Sequence, residues 1–77
     1  MYAKVTGYKP LNFVSQDGNP VVGNRIYITY TDPKVKGLAT DSFYVSAEKV
    51  ATKDIVVDAE VEVVYNRYGK VETLIFA

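Results

Sequence analysis

The 77-residue chain contains no cysteine, no histidine and no tryptophan. Without cysteine there is no disulfide to staple a small core. Without cysteine or histidine, the side chains that dominate zinc and haem ligation are missing, together with the usual general base near neutral pH. Metal chemistry and triad catalysis are therefore not expected, and no metal, cofactor or catalytic residue is assigned. An excess of one charge is lacking too: nine Lys plus Arg balance nine Asp plus Glu. No global field draws the chain toward polyanions or anionic membranes, so any such attraction must come from segregated charge. Apolar runs reach only three or four residues, against the roughly 20 needed to cross a bilayer. The N-terminus has no basic-then-apolar signal pattern. These absences lead to the expectation of a cytoplasmic protein with no membrane partner.

A domain of this size buries only about 60% of its unfolded surface. Chains shorter than about 80 residues often add a disulfide, a metal or a partner subunit to the core. With the first two missing, a homo-oligomer is expected, a dimer in the first instance.

What the chain does have is β-branched and aromatic residues recurring with period two, the mark of strands with one buried face. A long first strand is predicted from Tyr2 to Ser15, interrupted at Lys9-Pro10, where proline favours an edge or a bend. Ala3, Val5 and Gly7 then face one way and Tyr2, Lys4, Thr6 and Tyr8 the other, with Leu11 and Phe13 returning to the core beyond the bend. Asp17-Gly18-Asn19-Pro20 is a turn. Arg25 to Tyr30 alternates with Ile26 and Ile28 inward and Arg25, Tyr27 and Thr29 outward. Asp32 to Gly37 reads as a loop, and Ser42 to Ser46 as a third strand burying Phe43 and Val45. Ser46-Ala47-Glu48-Lys49-Val50 allows a short helical turn. Glu60–Tyr65 and Val71–Phe76 close the chain as a hairpin around Asn66-Arg67-Tyr68-Gly69-Lys70. No repeat or linker divides residues 1–77, which form one domain. The predicted fold is all-β, a five-stranded OB-like barrel with a helical turn between strands three and four. An SH3-like barrel is the alternative that periodicity leaves open.

The candidate site is the outward face of the first three strands, with Tyr2, Lys4, Tyr8, Arg25, Tyr27 and Tyr44. Single-stranded nucleic acid asks for this mixture, because bases stack on aromatic rings and cations accompany the phosphates. Acidic residues fall elsewhere, in turns and at Glu60, Glu62 and Glu72 of the closing hairpin. A single exposed tyrosine is an ordinary cross-strand partner; several beside Lys4 and Arg25 make a patch that calls for a ligand or a subunit. The hairpin tip, Arg67, Tyr68 and Lys70, is a second candidate, and otherwise a solvated turn with Gly69 at positive φ. Lys34 and Lys36 read as a solvated loop. Glu60 with Glu62, two residues apart, simply share a strand face. Asp17-Gly18-Asn19 lacks the remaining ligands of a calcium loop.

In layout the chain resembles the small single-stranded DNA-binding proteins of phages and mobile elements, notably the compact OB-fold dimers of filamentous phages. The likeness runs through the long first strand, the Asp17 to Pro20 turn, the Arg25 to Tyr30 strand, Phe43-Tyr44-Val45 and the closing hairpin. It implies a groove lined by tyrosines and basic residues, a projecting hairpin that contacts the strand, and dimers without strong sequence preference. Arg25, Tyr27, Tyr44 and the Arg67 to Lys70 tip are the matching positions. It also implies a setting inside a bacterial cell, as a phage or mobile-element protein. Two features depart from that pattern: the chain is neutral, and its loops are short for an extended DNA-binding wing. The expected function is non-enzymatic binding of single-stranded DNA or RNA; the alternative is a protein-interaction or assembly module using the same tyrosines as anchors.

Overall fold

Alternating β-branched and aromatic residues turn most of the chain into strand, and the second and third strands begin earlier than the sequence predicts. The computed structural model describes residues 1–76. In chain order it has β1 (Tyr2–Val14), β2 (Pro20–Tyr30), β3 (Ala39–Ser46), a 3₁₀ turn (Thr52–Asp54), β4 (Glu60–Tyr65) and β5 (Val71–Phe76). All five belong to one antiparallel sheet ordered β3-β2-β1-β4-β5. The all-β class, the five strands and the helical turn between the third and fourth are therefore present. The sheet curls until β3 and β5 touch, but no ladder joins these two edges among the described residues. The connection after β3 crosses β5 instead: Lys49 Nζ lies 2.9 Å from Glu72 Oε1, and the Thr73 hydroxyl donates to the Lys49 carbonyl at 3.5 Å. Glu72 is thereby drawn to Lys49 and does not join Glu60 and Glu62.

The concave side holds the core. Val5, Ile26, Ile28, Val61 and Val63 are fully buried, with Ala3, Val45 and Leu74 around them. Val50 and Ile55, from the β3–β4 connection, plug the open side. Asn24 is also completely buried. Its amide nitrogen donates to the Thr52 hydroxyl at 3.0 Å, and that hydroxyl donates to Asn24 Oδ1 at 3.2 Å. Strand β2 is thus pinned to the 3₁₀ turn, and the hydrogen bonds offset the cost of burying an amide.

The register of β1 corrects the expected facing of its second half. A bulge between Val5 and Gly7 inserts one residue against β2. A bulge reverses the in/out alternation beyond it. Tyr8 therefore pairs with Ile26 and packs on the core, whereas the sequence reading placed it outward. Leu11 and Phe13 move the opposite way: Phe13, expected inside, is exposed. The predicted interruption at Lys9-Pro10 is absent, since β1 runs through Pro10 opposite Asn24. Ser15 N donates to Asn19 O, and from there the alternation of the ladder points the backbone of Pro10 away from β2. Strand β4 pairs with that side of β1 only from Tyr2 to Lys4, so among the described residues no strand lies beside Pro10. Proline fits there because the position has no ladder donor to lose, and it blunts the edge.

Strand β3 ends at Ser46, opposite Gly23. Residues Asn12–Val14 and Pro20–Val22 continue beyond it as a two-stranded arm, and the molecule extends 43 × 26 × 20 Å. This extension is built from strand and not from a loop. Gly18, at φ +87, closes the turn of the arm, where its amide donates to Ser15 O at 2.9 Å.

Candidate nucleic-acid interface

The convex face of β1, β2 and β3 is built from cross-strand rows. Gly7, Tyr27 and Ser42 form one row, Lys9, Arg25 and Tyr44 the next, and Leu11, Gly23 and Ser46 a third. Phe13 and Val21 pair beyond them on the arm. Strands lie about 4.8 Å apart and residues two positions apart along a strand are separated by about 7 Å. Two tyrosines and two cations therefore occupy a surface about 10 Å across.

Two side chains of the central row are held, those of Tyr44 and Arg25. Tyr44 Oη donates to the Val22 carbonyl at 3.2 Å, which lays the ring across Gly23. A Cβ built on Gly23 would stand 2.5 Å from Tyr44 Oη and 2.7 Å from its Cε2. Only a glycine leaves room for this ring, so one face of Tyr44 rests on backbone and the residue stays 38% exposed. Arg25 Nη2 donates to the Ser42 hydroxyl at 3.1 Å, reaching diagonally toward the Tyr27 row. Tyr27 is 41% exposed. Neither Lys9 nor Arg25 has an ion-pair partner among the described residues, whose ion pairs are Lys4–Asp58 and Lys49–Glu72. The rows contain no carboxylate. This arrangement offers flat rings beside uncompensated cations, the requirement for stacking bases and holding phosphates.

The remaining predicted residues are distributed elsewhere. Lys4 shares the convex face, but it stands opposite Glu60, with Asp58 Oδ1 3.8 Å from its ammonium. Tyr2, highly exposed, stands opposite Glu62. The end of the face nearest β4 is thus acidic, and Tyr2 and Lys4 belong to it. Tyr8 lies on the core side. The tip formed by Arg67, Tyr68 and Lys70 lies beyond the start of β1, because β4 runs antiparallel to β1 with Glu62 opposite Tyr2. There Asn66 Oδ1 accepts from the backbone N–H of Tyr68 and Lys70 at 2.9 and 3.1 Å, Gly69 takes φ +76, and the Arg67 guanidinium sits 5.0 Å from the centre of the Tyr68 ring. It is a separate, ordered group of the same chemistry.

Lys9, Leu11 and Phe13 are the interface residues that the sequence reading misses. The available signal was Gly7, since a glycine inside a strand marks a bulge, and one extra residue there turns all three to the face that carries Tyr27 and Tyr44.

Among the described residues, the two carboxylates with displaced pKa values, Asp17 and Glu72, lie outside these rows. The Ser15 hydroxyl and the Asn19 amide hold Asp17 below its ordinary value, making it part of the arm's turn. Hydrogen bonding and charge from Lys49 lower Glu72. No family model, curated protein or solved structure matches the chain.

Proposed function

We propose that the chain binds single-stranded nucleic acid, DNA in the first instance, without catalysing a reaction on it. The observation that carries this reading is the row Lys9, Arg25 and Tyr44 with Tyr27 beside it: cations with no ion-pair partner among the described residues and exposed rings, in rows that contain no carboxylate. The phosphates run past Lys9 and Arg25 while bases lie on Tyr27 and Tyr44. Arg67, Tyr68 and Lys70 form an outlying contact that a longer strand reaches. The protein works inside a cell, where single strands arise, as a small homo-oligomer.

An assembly module is the second reading, and the arm favours it. Asp17 is the only charged residue between Lys9 and Arg25, and Phe13, Val14 and Val22 are exposed there. On the first reading this surface joins two copies of a binder; on the second, joining is the whole function.

Seven tyrosines and no tryptophan make intrinsic fluorescence the test. Oligo-dT titrated at low salt should quench the tyrosines, and added salt should reverse the quenching as counterions return to the strand. Replacing Tyr27 and Tyr44 together by alanine should remove the quenching and leave cooperative unfolding intact. Absence of quenching in the parent protein would leave the assembly reading.

A further inference from the structure

The base of the arm and the turn leaving β3 border an open depression of about 480 Å³ beside Tyr44, lined by Pro20, Val22, Tyr44, Ser46, Ala47 and Glu48 among others. Its walls are mostly apolar, one side is an aromatic ring, and it holds one acceptor-only side chain. Glu48 sits on a fixed turn, since the backbone N–H of Lys49 and of Val50 both donate to the Ser46 carbonyl at 3.1 Å. Its carboxylate forms no ion pair among the described residues.

We propose that this depression is a nucleobase subsite selecting an unpaired base with an exocyclic amino group, cytosine above all, and that Glu48 is its specificity-determining residue. The proposal rests on the single-strand reading above. Three features converge on it. First, Gly23 and the Val22 carbonyl fix Tyr44 lying down, so its free face accepts a base laid parallel to it, which a base inside a duplex stack cannot present. Second, Pro20, Val21, Val22 and Ala47 line the same hollow as the ring, and its walls are mostly apolar. Third, a carboxylate beside a track of phosphates is repulsive unless the ligand brings a donor to it. Cytosine brings its N4 amino group, and a carboxylate accepting from that group is a standard base contact. Thymine presents the O4 acceptor at the same position and is turned away. Gly23 acts here as a positioning residue, through Tyr44.

Oligo-dC and oligo-dT of equal length test this contact, since the two pyrimidines differ there by amino group against carbonyl, and the Glu48 variant separates it from their differences at N3 and C5. With the full chain at pH 8, the parent protein should bind oligo-dC about tenfold more tightly than oligo-dT. Glu48→Gln should bring the ratio near one by raising the affinity for oligo-dT, because an amide both accepts and donates and the repulsion is gone; a residue with only a structural role would not raise it. Gly23→Ala should lower binding of both strands by displacing the ring. Since that alanine also meets the Val45 carbonyl, 2.6 Å from the built Cβ, Tyr44→Phe provides a second variant: it frees the ring from Val22 and should weaken oligo-dC with little strain on the fold. Equal binding of the two oligonucleotides by the parent protein, or a ratio unchanged in Glu48→Gln, overturns the subsite and leaves single-strand binding standing. Salt-reversible binding of neither oligonucleotide overturns both.

Discussion

Lys9 and Arg25 stand directly opposite each other on β1 and β2, both on the convex face, with no carboxylate paired to either among the described residues. Like charges in opposed positions of a sheet destabilise it by a few tenths to about 1 kcal/mol. Nothing in the packing of the fold requires the pair, and the strand alternation would accept threonine at either site.

Lys9→Thr should therefore raise stability by up to about 1 kcal/mol in urea denaturation while weakening oligo-dT binding. The slope of log affinity against log salt should fall by about 0.7 for the one lost phosphate contact. A loss of stability in this variant would mean that the lysine supports the sheet and not a ligand.

Burial ranks the core. Ile28 is 1% exposed, and Ile28→Ala should cost about 2 to 5 kcal/mol, a large share of the roughly 5 to 15 kcal/mol typical of whole domains. Phe43, facing the same side opposite Ile26, is only half-buried. Phe43→Ala should fall at or below the foot of that range. Chemical denaturation of the two variants checks the order.

How much of this was legible in the sequence depends on what alternation reports. From Arg25 to Tyr30 nothing interrupts the period, and the inward Ile26 and Ile28 and outward Arg25 and Tyr27 follow directly. Strand β1 defeats the same reasoning after Val5, because one bulged residue near Gly7 reverses every later side chain, sending Tyr8 inward and Phe13 outward. Pairing partners lie outside what periodicity carries. Glu60 opposite Lys4 and Glu62 opposite Tyr2 remove those two residues from the basic patch, and this follows only from β4 lying beside the start of β1. The laid-down ring of Tyr44 is a contact between two strands, so no reading of Gly23 alone exposes it.

The buried amide at Asn24 has its side-chain partner in Thr52. Thr52→Val keeps the shape and deletes the hydroxyl, leaving the amide unsatisfied at a cost of about 1 to 3 kcal/mol. Thr52→Ser should restore most of it. Equal midpoints in urea for the valine and serine variants would show that shape, not hydrogen bonding, ties β2 to the 3₁₀ turn.

Acid should loosen the contact between the β3–β4 connection and β5. Lys49 lowers the Glu72 pKa in the folded state, so the ion pair contributes fully above the ordinary glutamate value and is lost as pH falls through the depressed one. Lys49→Met should flatten stability against pH across that acid window. Between pH 6 and 8 the chain has no histidine or cysteine to titrate, and oligonucleotide affinity should stay constant there.

The hairpin tip tests how far a bound strand runs. Along the sheet, Tyr2 and Lys9 are seven residues apart, about 23 Å at the usual rise, and the tip lies beyond Tyr2, past the acidic stretch of Glu60 and Glu62. An oligonucleotide of about four residues should fill the surface around Tyr27 and Tyr44 without reaching Arg67 or Lys70, whereas one of about a dozen, within the usual span of a small single-strand-binding domain, should reach both. Replacing Arg67 and Lys70 together by glutamine should leave the short oligonucleotide's affinity unchanged and weaken the long one's, with a salt slope lower by about 1.4 for two lost contacts. Equal weakening at both lengths would place the tip beside the tyrosines, against the register of β4 on β1. No weakening at either length would reduce Arg67, Tyr68 and Lys70 to a solvated turn, its shape set by Asn66 and Gly69.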